Sequence, residues 1–163
     1  MKRVASLLLA LALMGLLAGT ALAGASDTIT VNYEVTAINE LAITAASVTL
    51  TVNSATAGSN PDQASDGTTY GVTTNAGDNA KKITAAINTA MPSGLTLQLN
   101  ATAPTGASSA GATTLSDVAA NVVTLIDSVA QSGLSLAFTL DATLAAGVVA
   151  AASKTCTLTL TNT

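Results

Sequence analysis

Asn60, Asp62, Asp66 and, further on, Asp78 are hard oxygen donors in or near one loop. Carboxylates and amides gathered in one loop are calcium chemistry, since that ion takes about 6–8 oxygen ligands. The spacing does not match an EF-hand. Asn and Asp also serve turns, where they bond their own backbone, and that plainer role is the expectation here, with Asn60, Asp62 and Asp66 kept as a weak calcium candidate. Paired carboxylates could hydrolyse glycosides. Glu34 and Glu40, however, are separated by an apolar run, and the other acids fall mostly in loops with no aromatic beside them to stack a sugar.

The chain has no histidine. That removes Ser-His-Asp and Cys-His catalysis, histidine metal sites and the commonest general base. Its single cysteine, Cys156, allows neither an intramolecular disulfide nor a cysteine zinc site. Cys156 falls on the apolar face of an alternating run, which suits a small core residue better than a nucleophile. There is no G-x-x-x-x-G-K phosphate loop. The expectation is a protein that is not an enzyme and holds no cofactor. Asn100-Ala101-Thr102 is a glycosylation sequon, and Asn100 is the candidate acceptor.

The N-terminus has the order of a secretory signal peptide. Met1-Lys2-Arg3 is basic, Val4 to Leu17 is almost wholly apolar, and Ala18 to Ala23 is rich in small residues and ends in Ala21-Leu22-Ala23. No cysteine follows the apolar run, as a lipoprotein requires. No Gly or Ala site precedes Val4, as a type IV-like pilin leader requires. The reading is a signal peptide over 1–23, a secreted or cell-surface product beginning near Gly24, and no membrane insertion after cleavage. A retained anchor is the alternative, because about 18 apolar residues begin to span a bilayer.

Removing 23 of the 163 residues leaves 140, one domain's worth. Three lysines (Lys81, Lys82, Lys154) then face nine acids, a net of −6. No basic cluster exists to meet phosphates, so nucleic-acid binding is excluded. So few charges leave Thr, Ser, Asn and Ala to cover the surface, and such a surface does little to oppose self-association.

Period-two alternation, the mark of a half-buried strand, recurs along this remainder. Ile29, Val31, Tyr33, Val35 and Ala37 share one face of a run from Thr28 to Ile38. Val48-Leu50-Val52, Ile83-Ala85-Ile87, Leu95-Leu97-Leu99-Ala101, Leu134-Leu136-Phe138-Leu140 and Cys156-Leu158-Leu160 repeat the pattern. Weaker candidates are Leu41 to Ile43, Thr69 to Thr74 and Asn121 to Val129. The last also fits a helix face, but its β-branched Val122-Val123-Thr124 favours a strand. Gly58 to Asp62, Ser65-Asp66-Gly67, Asn75 to Asn79, Met91 to Gly94, Pro104 to Gly106 and Ser132-Gly133 read as turns, and Ala103 to Thr114 as a loop. The fold expected is all-β: a single antiparallel sandwich, Ig-like or jelly-roll-like, of about 8–9 strands over residues 39–163, preceded by a long N-terminal strand over 24–38.

A long apolar-faced strand at the mature N-terminus can complete a neighbouring subunit's sheet by strand addition, or pair within its own domain. Period two does not separate these. The signal peptide, the strand from Ile29 to Ile38, the Cys-poor and Thr-rich sandwich, the segment Asp141 to Gly147 and the closing run Thr155 to Thr161 together resemble TasA/camelysin-like biofilm fibre proteins and archaeal bundling pilins. The resemblance is one of architecture, with no single diagnostic residue. It implies donation of the N-terminal strand to the next subunit. The chain lacks the disulfide usual in chaperone–usher pilins and a sortase-type signal, so a non-covalent fibre fits better. The functional expectation is a structural subunit of an extracellular filament or pilus, a head-to-tail homopolymer whose partner is itself. The alternatives are a monomeric secreted binding or adhesion module and a surface-coat, S-layer-like protein.

Overall fold

The computed structural model describes residues 24–75 and 80–163. The expected signal peptide (1–23) and most of the Asn75 to Asn79 turn, with Asp78, lie outside the described residues. The chain divides into two units at Glu34/Val35. Residues 24–34 carry neither strand nor helix.

The described residues of 35–163 form a β-sandwich in which nine strands are seen. These are β1 (Asn39–Ile43), β2 (Ala64–Thr74), β3 (Lys81–Ile87), β4 (Leu95–Ala101), β5 (Ser108–Ser109), β6 (Ala112–Thr114), β7 (Ala120–Ile126), β8 (Val129–Ala142) and β9 (Cys156–Asn162). One sheet has the order β1-β2-β8-β4-β6, the other β5-β7-β3-β9, and every pair is antiparallel. A single turn of 3-10 helix, Leu144–Ala146, follows β8.

The alternating runs account for the core. Val72, Ile83, Ala85, Ile87, Leu97, Leu99, Leu134 and Leu136 are buried, and their neighbours in sequence turn outward. In β7 both Val122 and Val123 are buried, at a place where the β3–β7 register shifts. That pair blurs the period of two and gives the sequence its helical look. Tyr70 is the one aromatic that is wholly enclosed, and its hydroxyl donates to the Thr102 carbonyl at 2.6 Å. The hydrogen bond satisfies a polar tip that burial would otherwise leave costly.

Three expectations are corrected. Ser65-Asp66-Gly67 is not a turn but the start of β2, paired with Ala137 to Thr139. Gly67 is there because the strands approach closely: a Cβ on it would lie 2.7 Å from the Leu136 carbonyl oxygen. Ser132-Gly133 is likewise inside β8. There Gly71 alone opposes two residues, since Tyr70 pairs with Leu134 and Val72 with Gln131. This is a β-bulge, and Gly133 takes the positive φ of 72° that it needs. The Ala103 to Thr114 stretch, expected as a loop, contributes the short strands β5 and β6.

Two further runs alternate without forming strands. Val48, Leu50 and Val52 are half-buried while Thr49, Thr51 and Asn53 are exposed, and Val48 and Leu50 pack on the core. Yet no ladder holds this run. It is tied to β2 by its ends and one side chain: Thr44 N–H donates to the Thr69 carbonyl at 2.8 Å, and Thr49 N–H to Asp66 Oδ2 at 2.7 Å. The expected N-terminal strand is also not among the nine. The first strand is β1, which begins at Asn39.

Two predictions follow from these bonds. The Thr49 and Gly67 N–H groups hold the Asp66 carboxyl below the usual carboxylate range, so the tether is present above about pH 3.9 and is lost only as pH falls below that. Asp66→Ala is expected to speed hydrogen exchange at the Thr49 amide near pH 6, with the difference from wild type disappearing only in stronger acid. Burial pushes the Tyr70 phenol up to about 12. A raised folded-state value means full stability below about pH 10 and a loss as pH climbs towards 12. Tyr70→Phe is expected to cost about 1–2 kcal/mol at neutral pH, because the Thr102 carbonyl loses its donor, and to flatten the alkaline fall in denaturant midpoints.

Candidate functional site

The calcium candidates do not converge on an open site. Asp62 accepts from Ser54 Oγ at 2.8 Å, and its own N–H donates to the Ser54 carbonyl. Both Asp66 oxygens are taken by backbone N–H groups, of Thr49 and of Gly67. Asn60 precedes Pro61, whose bridge with Ala55 closes the loop. Asp62 thus ties its loop and Asp66, from β2, tethers the Thr49 backbone. Among the described residues, no three His, Cys, Asp or Glu side chains gather as a metal group would. Cys156 is half-buried at the start of β9, and burial pushes its thiol up, away from a thiolate. Asn100 is exposed on β4, but its backbone is laddered on both sides, to Ala137 and Ala112.

The N-terminal residues present an uncovered apolar face. Ile29 is 88% exposed, Val31 72%, Tyr33 92% and Val35 80%, and Ala37 is exposed as well. In β2, β4 and β8 the same alternation is buried.

A second feature lies at one end of the sandwich. The runs Thr49 to Ala55 and Val149 to Lys154 both line a groove with a cavity volume of about 980 Å³. Met91, Leu95, Leu140 and Leu144 lie among its lining residues. β1 covers only Tyr70 to Thr74 of β2, and its edge approaches β9. Beyond Ile43 the chain leaves the sheet, and residues 148–155 run up to β9 without any ladder. The turn Met91 to Gly94 and the 3-10 helix build the groove's end: Leu95 N–H donates to the Pro92 carbonyl, and Thr143 N–H to the Gly94 carbonyl at 2.9 Å. Lys154 is the single charged residue of the lining, and its Nζ is held by Thr89 Oγ1 and the Ala90 carbonyl.

Among the described residues, the backbones of 50–53 and 149–154 make no backbone–backbone hydrogen bond. Leu144 and Val149, at 72% and 45% exposure, leave the groove's apolar surface open to water. None of this is legible in the sequence, because the lining comes from four separated segments. The one available signal is Val48-Leu50-Val52, an alternating run that alternates in burial and yet has no strand beside it.

Among the described residues no helix is long and apolar enough to cross a membrane. No protein family matches the chain, and no curated protein matches it in sequence.

Proposed function

We propose that this chain is a secreted structural subunit of an extracellular filament, polymerising without covalent links by giving its N-terminal segment to a neighbouring subunit as a strand. One observation carries the reading: Ile29, Val31, Tyr33 and Val35 repeat the core's alternation, and yet their side chains stand 72–92% exposed. Covering four such side chains is worth about 1.5–3 kcal/mol each, or roughly 6–12 kcal/mol gross. Main-chain pairing by strand addition would supplement it. The low charge of the surface supports the same reading, since little repulsion opposes contact between copies. The order of residues 1–23 supports export.

A monomeric secreted binding module is the second reading, and the groove favours it, being as large as pockets that take small ligands, about 300–1,000 Å³. It leaves the exposed face of Ile29 to Val35 without a role, and for that reason it ranks second.

Electron microscopy of protein recovered from cells expressing the full chain tests the choice. Regular filaments are expected, with the subunit's N-terminal sequence starting at Gly24. Deleting residues 24–38 behind an intact leader is expected to abolish them and yield folded monomers. Filaments that persist after the deletion, or dispersed monomers from the wild-type chain at high concentration, would sink the reading.

A further inference from the structure

We propose that the groove between residues 49–55 and 149–154 is the acceptor, and that its occupant is residues 29–35 of a second copy of this chain, laid as a strand between the two runs. The inference rests on the filament reading and says where in the neighbour the strand goes.

Length is the first argument. From Ile29 to Val35 an extended strand covers about 20 Å, at about 3.3 Å per residue. The lining holds two consecutive runs of similar residue number, seven from Thr49 to Ala55 and six from Val149 to Lys154. Backbone chemistry is the second. Residues 50–53 and 149–154 lack backbone partners among the described residues. An inserted strand has N–H and C=O groups on both edges, so it offers partners to both runs at once. Side-chain pattern is the third. The apolar face of Ile29, Val31, Tyr33 and Val35 meets the leucines of the lining, while Thr30, Asn32 and Glu34 turn to water. Charge is the fourth. The groove's one charged residue is Lys154, and the segment from Asp27 to Val35 carries two acids and no base.

Two arginine substitutions and the deletion test this together. Leu144 is 72% exposed and Ala151 is exposed in one run, so Leu144→Arg and Ala151→Arg place a charge in the groove without disturbing the buried core. Melting curves matching wild type qualify each for comparison, and either one alone suffices. Each is expected to raise the concentration needed for assembly at least about tenfold, as loss of a central anchor does. Each nevertheless keeps an intact donor segment, whereas the chain lacking 24–38 keeps an intact groove. Mixed in equal amounts, an arginine variant and the deletion variant are expected to form one-to-one dimers that grow no further, seen by light scattering. A folded arginine variant that polymerises like wild type, while the deletion does not, overturns the groove and leaves the filament reading standing. Polymerisation of the deletion variant overturns both.

Discussion

Everything in this sandwich depends on covering one face of each alternating strand. The protein has little else to hold it. It has no cysteine pair, few charges and almost no aromatic bulk. Its core is mostly aliphatic, supplied chiefly by β2, β3, β4, β7 and β8, with Tyr70 and Phe138 as its aromatics. The long pair β2–β8 is the spine, and the bulge at Gly71 and Gly133 keeps its buried residues in phase on both sides of the irregularity. A bulge costs a ladder bond locally, but a slip of one residue would turn a whole hydrophobic set towards water.

That constraint explains what the sequence reveals. Strands whose apolar face is fully covered, such as β3 and β4, stand where their alternation puts them. Glycine was the misleading residue. Ser65-Asp66-Gly67 and Ser132-Gly133 have the composition of turns, but Gly67 answers a close approach to the Leu136 backbone, and Gly133 a bulge. A sequence shows that glycine is needed and not which of those needs it meets. The short strands β5 and β6 escaped for the opposite reason. Two and three residues of Ser, Ala and Thr are too few and too polar to show a period, and their pairing to β7 and β4 holds them. The candidate site was legible on one side only. Its alternating N-terminal face is local and visible, whereas the groove is assembled from segments some hundred residues apart, about which period two is silent.

The pattern over 28–38 and over 48–52 is the same pattern that builds the core, yet neither run has a ladder. Alternation makes a strand possible; a partner edge makes it real, because an unpaired strand in water gains nothing from its extended backbone. Val48 to Val52 is partly compensated, since its apolar side chains touch the core and Asp66 holds its backbone. Ile29 to Val35 has no such compensation in its described surroundings.

Exposed apolar edges are hazards that natural sheets blunt with lysines, prolines or short strands. Neither device interrupts Thr28 to Ile38: the run contains no proline and no lysine, and Glu34 is its only charge. A sequence that leaves such an edge unguarded invites pairing, and the useful distinction is between pairing that is indiscriminate and pairing that is addressed. On the proposed reading, a groove whose runs lack backbone partners among the described residues, with one lysine in its lining, would supply the address. β1 itself covers only Tyr70 to Thr74 of β2, so the start of β2 depends on single bonds such as that from Thr49 to Asp66 where a longer β1 would supply a ladder.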